Sequence, residues 1–359
     1  MDWPALLAWR MQRQQLAQRA PAEDALAVVS RIAGLHAQVM GSADAALRAR
    51  VEGLRDDFLP RALWRDGTLV KTWAMRGTLH LLARDELPVY VGALSRLRPR
   101  HHQPAWQRAH GVPRELADAM LAAVPEVLAR KPLTRAELAA AVARKAKAPE
   151  LEEKLADGFG ALLKPAAFAG DLVFAEGDGQ RVRFAKPDVT PADGEEAARR
   201  IVRTYLAAYG PAPREQFQRW FGMQSPAEAG RWLQALGDEV TEVEQGWMLV
   251  ADAEEAAAAE PAGAVRLLPA FDPYVVAAPR KADAVLAAAH RAEVHRPQGW
   301  ISPVLLVDGV IRGVWRREDD AIELTPFGRL PAGVRTAAAD EAVRLGASLT
   351  VKRSGSRRG

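Results

Sequence analysis

The chain has 359 residues, of which 49% are hydrophobic and 26% charged, and its formal net charge is +4. This length predicts two or three domains, each able to bury a core, and the composition is typical of a globular protein. No apolar run reaches the roughly 18 residues of a membrane span, and the N-terminus lacks the layout of a signal peptide. Cysteine is absent, which excludes disulfides, thiolate catalysis and cysteine-based metal sites. We therefore expect a cytoplasmic protein.

The first of three similar segments covers about residues 1–110 and contains helices followed by a hairpin. Apolar residues at helical spacing lead up to Val39, and Ser42 can cap the next helix. Arg76-Gly77 is a turn signal between two runs of strand-forming residues. The predicted elements are helices at 25–39, 43–54 and 58–66 and strands at 69–75 and 78–82.

The second and third segments, at about 111–190 and 191–255, repeat this order. Thr134 and Glu137 form a capping box, and Gly177-Asp178-Gly179 is a hairpin turn signal. Helices are predicted at 113–130, from 134, and at 151–168, 195–209, 214–221 and 226–236, and strands at 171–174, 181–184, 240–244 and 247–250. Helices followed by a two-stranded wing describe a winged helix, although one such segment alone also fits any small α+β domain. Their occurrence in tandem favours winged helices.

The pattern changes after a linker or frayed helix at 251–263. Strands are predicted at 265–268, 300–307, 310–316, 321–324 and 348–352, and a helix at 332–345. We interpret 264–359 as a β-barrel domain with a basic tail. The sequence thus predicts an α+β, mainly helical fold, in which three tandem winged-helix units at 1–110, 111–190 and 191–255 precede a small C-terminal β-barrel.

His36 and Gln38 are two uncharged hydrogen-bonding residues near a predicted helix end. On a helix, side chains two positions apart point about 200° away from each other, whereas in an extended segment they lie on the same side. If the helix ends by Leu35, the side chains of His36 and Gln38 can both contact the same atom. If it continues to Val39, they form no site, and His36 is then a structural histidine beside an apolar stripe.

Residues 34–42, which include His36-Ala37-Gln38, and the later stretch 72–82 resemble the AlkZ/YcaQ family of winged-helix DNA glycosylases. In that family a Gln-x-Gln or Gln-x-Asp motif carries the chemistry, so Gln38 matches its second position and His36 departs from its first. The family's Arg-Gly-Thr-Leu-His hairpin matches residues 76–80 one for one. Further short matches follow in the same order at 209–212, 268–274, 295–297 and 307–315.

The resemblance implies a monofunctional DNA glycosylase that removes N7-alkylated, bulky or cross-linked purines from double-stranded DNA. It further implies a monomer that needs no cofactor. An N7-alkylated base is already positively charged, so it leaves without a strong general acid. What remains is to position and activate a water, a contribution typically worth about 10²–10⁴-fold. His36 would accept a proton from that water, and Gln38 would orient it.

Five residues are candidate DNA contacts. Arg76, at the predicted wing tip, can enter the minor groove or hold a phosphate, and Lys71 shares its hairpin. Arg48 and Arg50 follow Gln38 on the next helix. Alternatively, each of these four cations is a solvated surface residue with no role in DNA binding. His80 alternates toward one face of the hairpin, which favours a structural role over DNA contact.

Other functions remain open at this point. His101 and His102, near His110, suggest a metal site, but no carboxylate lies at useful spacing, so we expect no metal. The departure at His36 keeps a non-catalytic winged-helix DNA-binding protein, either a regulator or a damage-binding module, as an alternative. A third interpretation assigns the winged helices to protein–protein contacts. Arginine outnumbers lysine, as suits phosphate binding, but codon bias in a GC-rich genome explains that excess equally well.

Overall fold

The computed structural model describes residues 1–156, 160–178 and 181–352. They form an α+β fold that divides into two compact units. Unit 1 comprises Met1–Arg55, Arg203–Trp220 and Ser225–Gly359, and unit 2 comprises Asp56–Val202 and Phe221–Gln224. None of the helices in the described ranges has the length and apolarity needed to cross a membrane.

The N-terminal part of unit 1 begins with a helix capped by the Asp2 carboxylate, which accepts a hydrogen bond from the Ala5 amide at 3.0 Å. Its elements are α1 (Trp3–Arg13), α2 (Ala25–Arg31), β1 (Leu35–His36) and α3 (Met40–Arg48). The predicted helix over 25–39 is therefore wrong beyond Arg31. The helix stops because Ala33 and Gly34 adopt φ angles of 57° and 90°, which reverse the chain direction.

The predicted cap at Ser42 is also wrong. The residue before α3 is Val39, which makes no side-chain cap, and Ser42 lies inside the helix. Because the chain leaves the preceding helix at Gly34 rather than at Gly41, the next helix begins two residues before Ser42. The predicted helix over 43–54 is accordingly shifted toward the N-terminus.

Unit 2 contains a hairpin, a helical bundle and a small sheet. Its elements are α4 (Phe58–Pro60), β2 (Leu69–Trp73), β3 (Leu79–Ala83), α5 (Leu87–Ser95), α6 (Pro104–His110), α7 (Arg114–Leu128), β4 (Leu133–Thr134), α8 (Arg135–Lys145), α9 (Glu150–Ala156), α10 (Lys164–Phe168), β5 (Val173–Asp178) and β6 (Arg181–Ala185). The strands β2 and β3 pair antiparallel with Thr72 opposite His80, which confirms the predicted hairpin. The small sheet has the order β4-β6-β5.

Local signals in unit 2 are largely confirmed. Thr134 and Glu137 form the predicted capping box at the start of α8. The single helix predicted over 151–168 is wrong, because α9 ends at Ala156 and α10 begins at Lys164. Gly160 takes a φ of +72°, and Pro165 lies in the first turn of α10, where proline starts a helix rather than continuing one. The predicted turn at 177–179 lies partly outside the described residues.

The third predicted segment is confirmed to within a few residues. Its elements are α11 (Gly194–Tyr209), α12 (Arg214–Phe221), α13 (Pro226–Gln234), β7 (Val240–Val243), β8 (Gly246–Leu249) and the short α14 (Ala253–Ala258). The strands β7 and β8 form an antiparallel hairpin. The grouping of the helices and hairpins into three winged-helix units, and the domain boundaries that go with it, stay predictions.

The C-terminal part of unit 1 contains a five-stranded sheet. Its elements are β9 (Val265–Leu268), α15 (Pro273–Ala277), α16 (Arg291–Val294), β10 (Val304–Val307), β11 (Val310–Glu318), β12 (Ala321–Pro326), α17 (Ala332–Arg344) and β13 (Ser348–Val351). The strand order is β13-β12-β11-β10-β9, with only the β12–β13 pair parallel. Over the described part of the chain β13 and β9 are outer strands, so the predicted barrel is an open half-barrel. The basic tail at 353–359 lies outside the described residues.

Apolar clusters cover both faces of this half-barrel. On one side, Ile322 and Leu324 pack in a cluster with Ala338 and Ala342 of α17. A second cluster joins Leu306 of β10 to residues of α1 and α15. Side chains alternate along each strand, so the two faces of the sheet serve different neighbours. The second cluster packs the N-terminal helix α1 against the sheet, within the unit that contains the candidate site.

Candidate active site and DNA contacts

His36 lies in the two-residue strand β1 that follows α2, and Gln38 lies in the bend just beyond it. The Gly34 amide donates to the Val29 carbonyl at 2.9 Å, which closes the helix end, and β1 begins at Leu35. The chain is therefore no longer helical at His36, so helix geometry does not direct the two side chains apart. His36 is buried, with 7% exposure, whereas Gln38 is exposed. The two side chains thus belong to a segment that rises from the interior of unit 1 to its surface.

An aromatic residue from the C-terminal part of unit 1 covers His36. The Phe271 ring stacks on the imidazole with centroids 4.7 Å apart and planes 12° apart. Trp300 meets the Phe271 ring edge-on at 4.9 Å, and 45% of Trp300 is exposed. The Phe271 backbone has a φ of +59°, an uncommon conformation for a bulky residue. Such outliers persist where the surroundings hold them, so the loop is built to present this ring.

The Phe271 loop is held by a fully buried ion pair between Arg50 and Asp272. The two guanidinium nitrogens of Arg50 each donate to one Asp272 oxygen at 2.8 Å, and neither side chain is exposed. The Asp272 carboxylate also accepts from the Tyr274 amide at 2.8 Å and caps α15. Arg50 was a candidate phosphate contact, but a guanidinium enclosed in this way is not accessible to DNA. In unit 1, Arg50 instead holds Asp272, the residue that follows Phe271.

Arg48 lies on the surface of unit 1 and is engaged by its own neighbourhood. Its guanidinium pairs with Asp44 at 2.7 Å and donates to the carbonyls of Leu54 and Arg55. These contacts fix the turn after α3. About a quarter of the side chain remains exposed (27%), so a phosphate can approach it from solvent.

The β2–β3 hairpin holds the three remaining candidates, all in unit 2. Arg76 takes a φ of +60° in the turn, and its guanidinium lies 3.5 Å from His80 Nε2. His80 is buried, and its Nδ1 donates to the Thr78 carbonyl at 2.9 Å, an arrangement that fixes the turn and makes His80 structural. The Lys71 ammonium lies 5.4 Å from the centre of the Phe174 ring, and burial lowers its pKa. Arg76 and Lys71 are both half-buried.

Unit 2 also contains a cluster that local spacing did not reveal. Asp118 of α7 lies 3.1 Å from His102 Nε2 and 3.6 Å from His101 Nε2. The three residues could offer one ligand atom each, all within 4.8 Å of one another. Arg114, however, approaches the same carboxylate at 3.6 Å and competes for it. The expected absence of a metal remains a prediction, and the cluster is the place to test it.

Comparisons with known proteins identify the family. The family described as DNA glycosylase AlkZ-like matches residues 29–348 of the chain. The chain is 36% identical over 339 residues to an interstrand DNA cross-link repair glycosylase of Streptomyces sahachiroi, with 91% of each protein covered. The solved structure of Streptomyces sahachiroi DNA glycosylase AlkZ matches with a TM-score of 0.89 and 34% identity, over 98% of this chain and 100% of that one.

The matched residues and the fold together place the chain among the DNA glycosylases, enzymes that cleave the bond between base and sugar. Within that class the chain belongs to the AlkZ-like family. The sequence resemblance is thereby confirmed, and with it the interpretation as an enzyme. The non-catalytic alternatives lose their support.

Proposed function

We propose that the protein hydrolyses the N-glycosidic bond of N7-alkylated purines in double-stranded DNA, cross-linked purines included. Family membership supports the N-glycosidic bond as the one that is cleaved. The name of the Streptomyces relative supports cross-linked DNA as a substrate. The observation on which the assignment of His36 and Gln38 depends is the end of α2 at Arg31, after which the chain is not helical from His36 to Gln38. In such a chain, residues two positions apart can act on one water molecule.

The reaction follows from the charge of the base. As the C–N bond breaks, its electron pair returns to the positively charged base, which leaves as a neutral molecule. Water adds to the anomeric carbon, and the His36 imidazole accepts one of its protons, so an abasic site with a hydroxyl group is formed. The Gln38 carbonyl oxygen accepts a hydrogen bond from the same water and orients it. Positioning and base assistance of this kind contribute about 10²–10⁴-fold.

Phe271 supports this chemistry by fixing the plane of the imidazole. A ring that stacks on His36 restricts rotation about its side-chain bonds, so the accepting nitrogen keeps one direction. The stack also excludes water from one face of the imidazole. Solvent then reaches His36 from fewer directions, which favours a single ordered water.

We infer that Arg76, Lys71 and Arg48 contact the DNA backbone or groove, and that the helix–hairpin segments serve as winged helices around the duplex. Each of these cations keeps some exposed surface. Arg50 and His80 are left out, because both are buried in contacts of their own. The enzyme would act as a monomer in the cytoplasm, on DNA.

The test is incubation with duplex DNA that carries a defined N7-methylguanine, followed by alkali cleavage at abasic sites. Wild-type protein is expected to produce cleavage, and the double variant His36→Ala, Gln38→Ala to lose at least about 100-fold of the rate while it still binds duplex DNA. The control is Gln12→Ala, which removes an exposed glutamine of α1. Undiminished excision by the double variant would contradict the assignment.

A further inference from the structure

Unit 2 contains a cavity of about 370 Å³ beside the tip of the β2–β3 hairpin. This volume falls in the range of roughly 300–1,000 Å³ that is typical of small-molecule sites. Four cations line the cavity, namely Arg76, Arg98, Arg100 and Lys164. Within the described part of the chain, no aspartate or glutamate lines it. A cavity with this lining favours an anion.

Several contacts hold the wall of the cavity together. Gly77 lies against the Lys164 side chain, where an added Cβ would be 3.4 Å from Lys164 Cδ. Gly222 has a φ of +93°, and a Cβ there would be 2.8 Å from both the backbone N and the Cα of Arg76. Arg100 donates to the Gly222 carbonyl at 3.1 Å. Gly222 thus lies tightly against the Arg76 backbone, and Gly77 is in ordinary contact with the Lys164 side chain.

The electrostatics of Lys164 favour an anionic ligand. Burial and the neighbouring guanidinium of Arg100 lower the pKa of Lys164. Both effects disfavour the ammonium, and a bound anion would offset both of them. Phosphate is well suited, because it can accept hydrogen bonds from an ammonium and a guanidinium together.

Three aromatic residues line the cavity as well, among aliphatic and polar ones. Trp106 and Phe168 both face the cavity and are half-buried, so part of each ring is accessible, and Phe221 lies deeper. Aromatic rings stack on nucleobases with little regard to sequence, a contact typically worth about a 5- to 150-fold change in affinity per base. The lining therefore favours a ligand that carries both a planar ring and an anionic group.

We propose that this cavity binds one nucleotide, with its base against Trp106 and Phe168 and its phosphate on Lys164 and Arg100. The nucleotide is either one rotated out of the DNA duplex or a free one; the chemistry of recognition is the same. The DNA source rests on the proposed function, whereas binding of a free nucleotide does not. The proposal adds a site in unit 2 to the His36–Gln38 segment of unit 1.

The experiment measures binding of 2′-deoxyguanosine 5′-monophosphate to the full chain by isothermal titration calorimetry. Lys164→Gln is expected to weaken binding about tenfold or more, and Trp106→Leu by about 5- to 100-fold. Deoxyguanosine without the phosphate should bind at least tenfold more weakly than the nucleotide. The control is Lys131→Gln, which removes an exposed lysine outside the cavity and should change nothing.

A second arm identifies the source of the nucleotide. If the DNA supplies it, Trp106→Leu also weakens duplex binding, although a tryptophan is no phosphate contact. If the ligand is free, duplex affinity stays at the wild-type value while nucleotide binding falls. Circular dichroism verifies that each variant is folded. The proposal is overturned if neither Trp106→Leu nor Lys164→Gln changes nucleotide or duplex affinity. Excision activity is measured separately, so its absence would refute the proposed function and leave nucleotide binding standing.

Discussion

The ion pair between Arg50 and Asp272 offers the sharpest test of how the His36 segment is held. Asp272→Asn removes one charge and changes the shape little, and asparagine can still cap α15. The variant therefore isolates the charge of the pair from its capping role. The guanidinium is left fully buried opposite a neutral amide, in a place where both partners have no exposed surface.

The magnitude follows from that burial. Removal of one partner from a buried pair typically costs about 3–5 kcal/mol, because the remaining charge is uncompensated. With a urea dependence near 3 kcal/mol per molar, the unfolding midpoint would fall by roughly 1–2 M. Urea denaturation followed by circular dichroism measures this shift. The control is Glu215→Gln, which breaks an Arg214 pair whose side chains are 56% and 46% exposed and should cost at most about 1 kcal/mol.

Two outcomes would refute this reasoning. A loss below about 1 kcal/mol for Asp272→Asn would mean that the pair is not the anchor of the Phe271 loop. The double variant Arg50→Met, Asp272→Asn should recover much of the loss, since it removes the uncompensated guanidinium and keeps the cap of α15. A double variant as unstable as the single one would show that the charge is not the cause.

Three further predictions concern chemistry, backbone and pH. His36→Gln restores the Gln-x-Gln pattern of the family and should keep excision within about tenfold of wild type, whereas His36→Ala should lose about 100-fold. Gly222→Ala, which sets a Cβ 2.8 Å from the Arg76 backbone, should lower the unfolding free energy by about 1–3 kcal/mol, and Gly237→Ala, with open space around it, by less. Burial and two nearby arginines lower the pKa of His295 to about 4. Because an unfolded imidazole binds its proton near pH 6.5, stability should fall as the pH drops from 6.5 toward 4, and His295→Gln should flatten urea midpoints between pH 7 and 5.

Features set by neighbouring residues could be predicted from the sequence. The β2–β3 hairpin and the capping box at Thr134 depend on signals within a few positions, and both are confirmed. The helix over 25–39 failed for a physical reason. Apolar residues at helical spacing indicate that a segment is buried, but they do not by themselves show that it is helical. The residues from Gly34 to Ala37 are buried although the chain there is not helical.

Interactions between distant residues could not be predicted. His36 and Gln38 were identified through a family motif. Phe271 lies within another match, at 268–274, but no local signal indicates that its ring stacks on the imidazole. Arg50 looked like a surface cation because its partner lies 222 positions away. The half-barrel has the predicted strands, yet nothing in their alternation indicates whether the outer two meet. Closure depends on strand tilt and register across the whole sheet.

The span between Arg50 and Asp272 has a consequence for biosynthesis. During translation, the segment with the imidazole emerges early, while the ring that covers it is made much later. A ribosome that stalls before residue 271 therefore releases a polypeptide that lacks both the ring stacked on His36 and the carboxylate paired with Arg50. This part of unit 1 is therefore completed only when its C-terminal segment has been made.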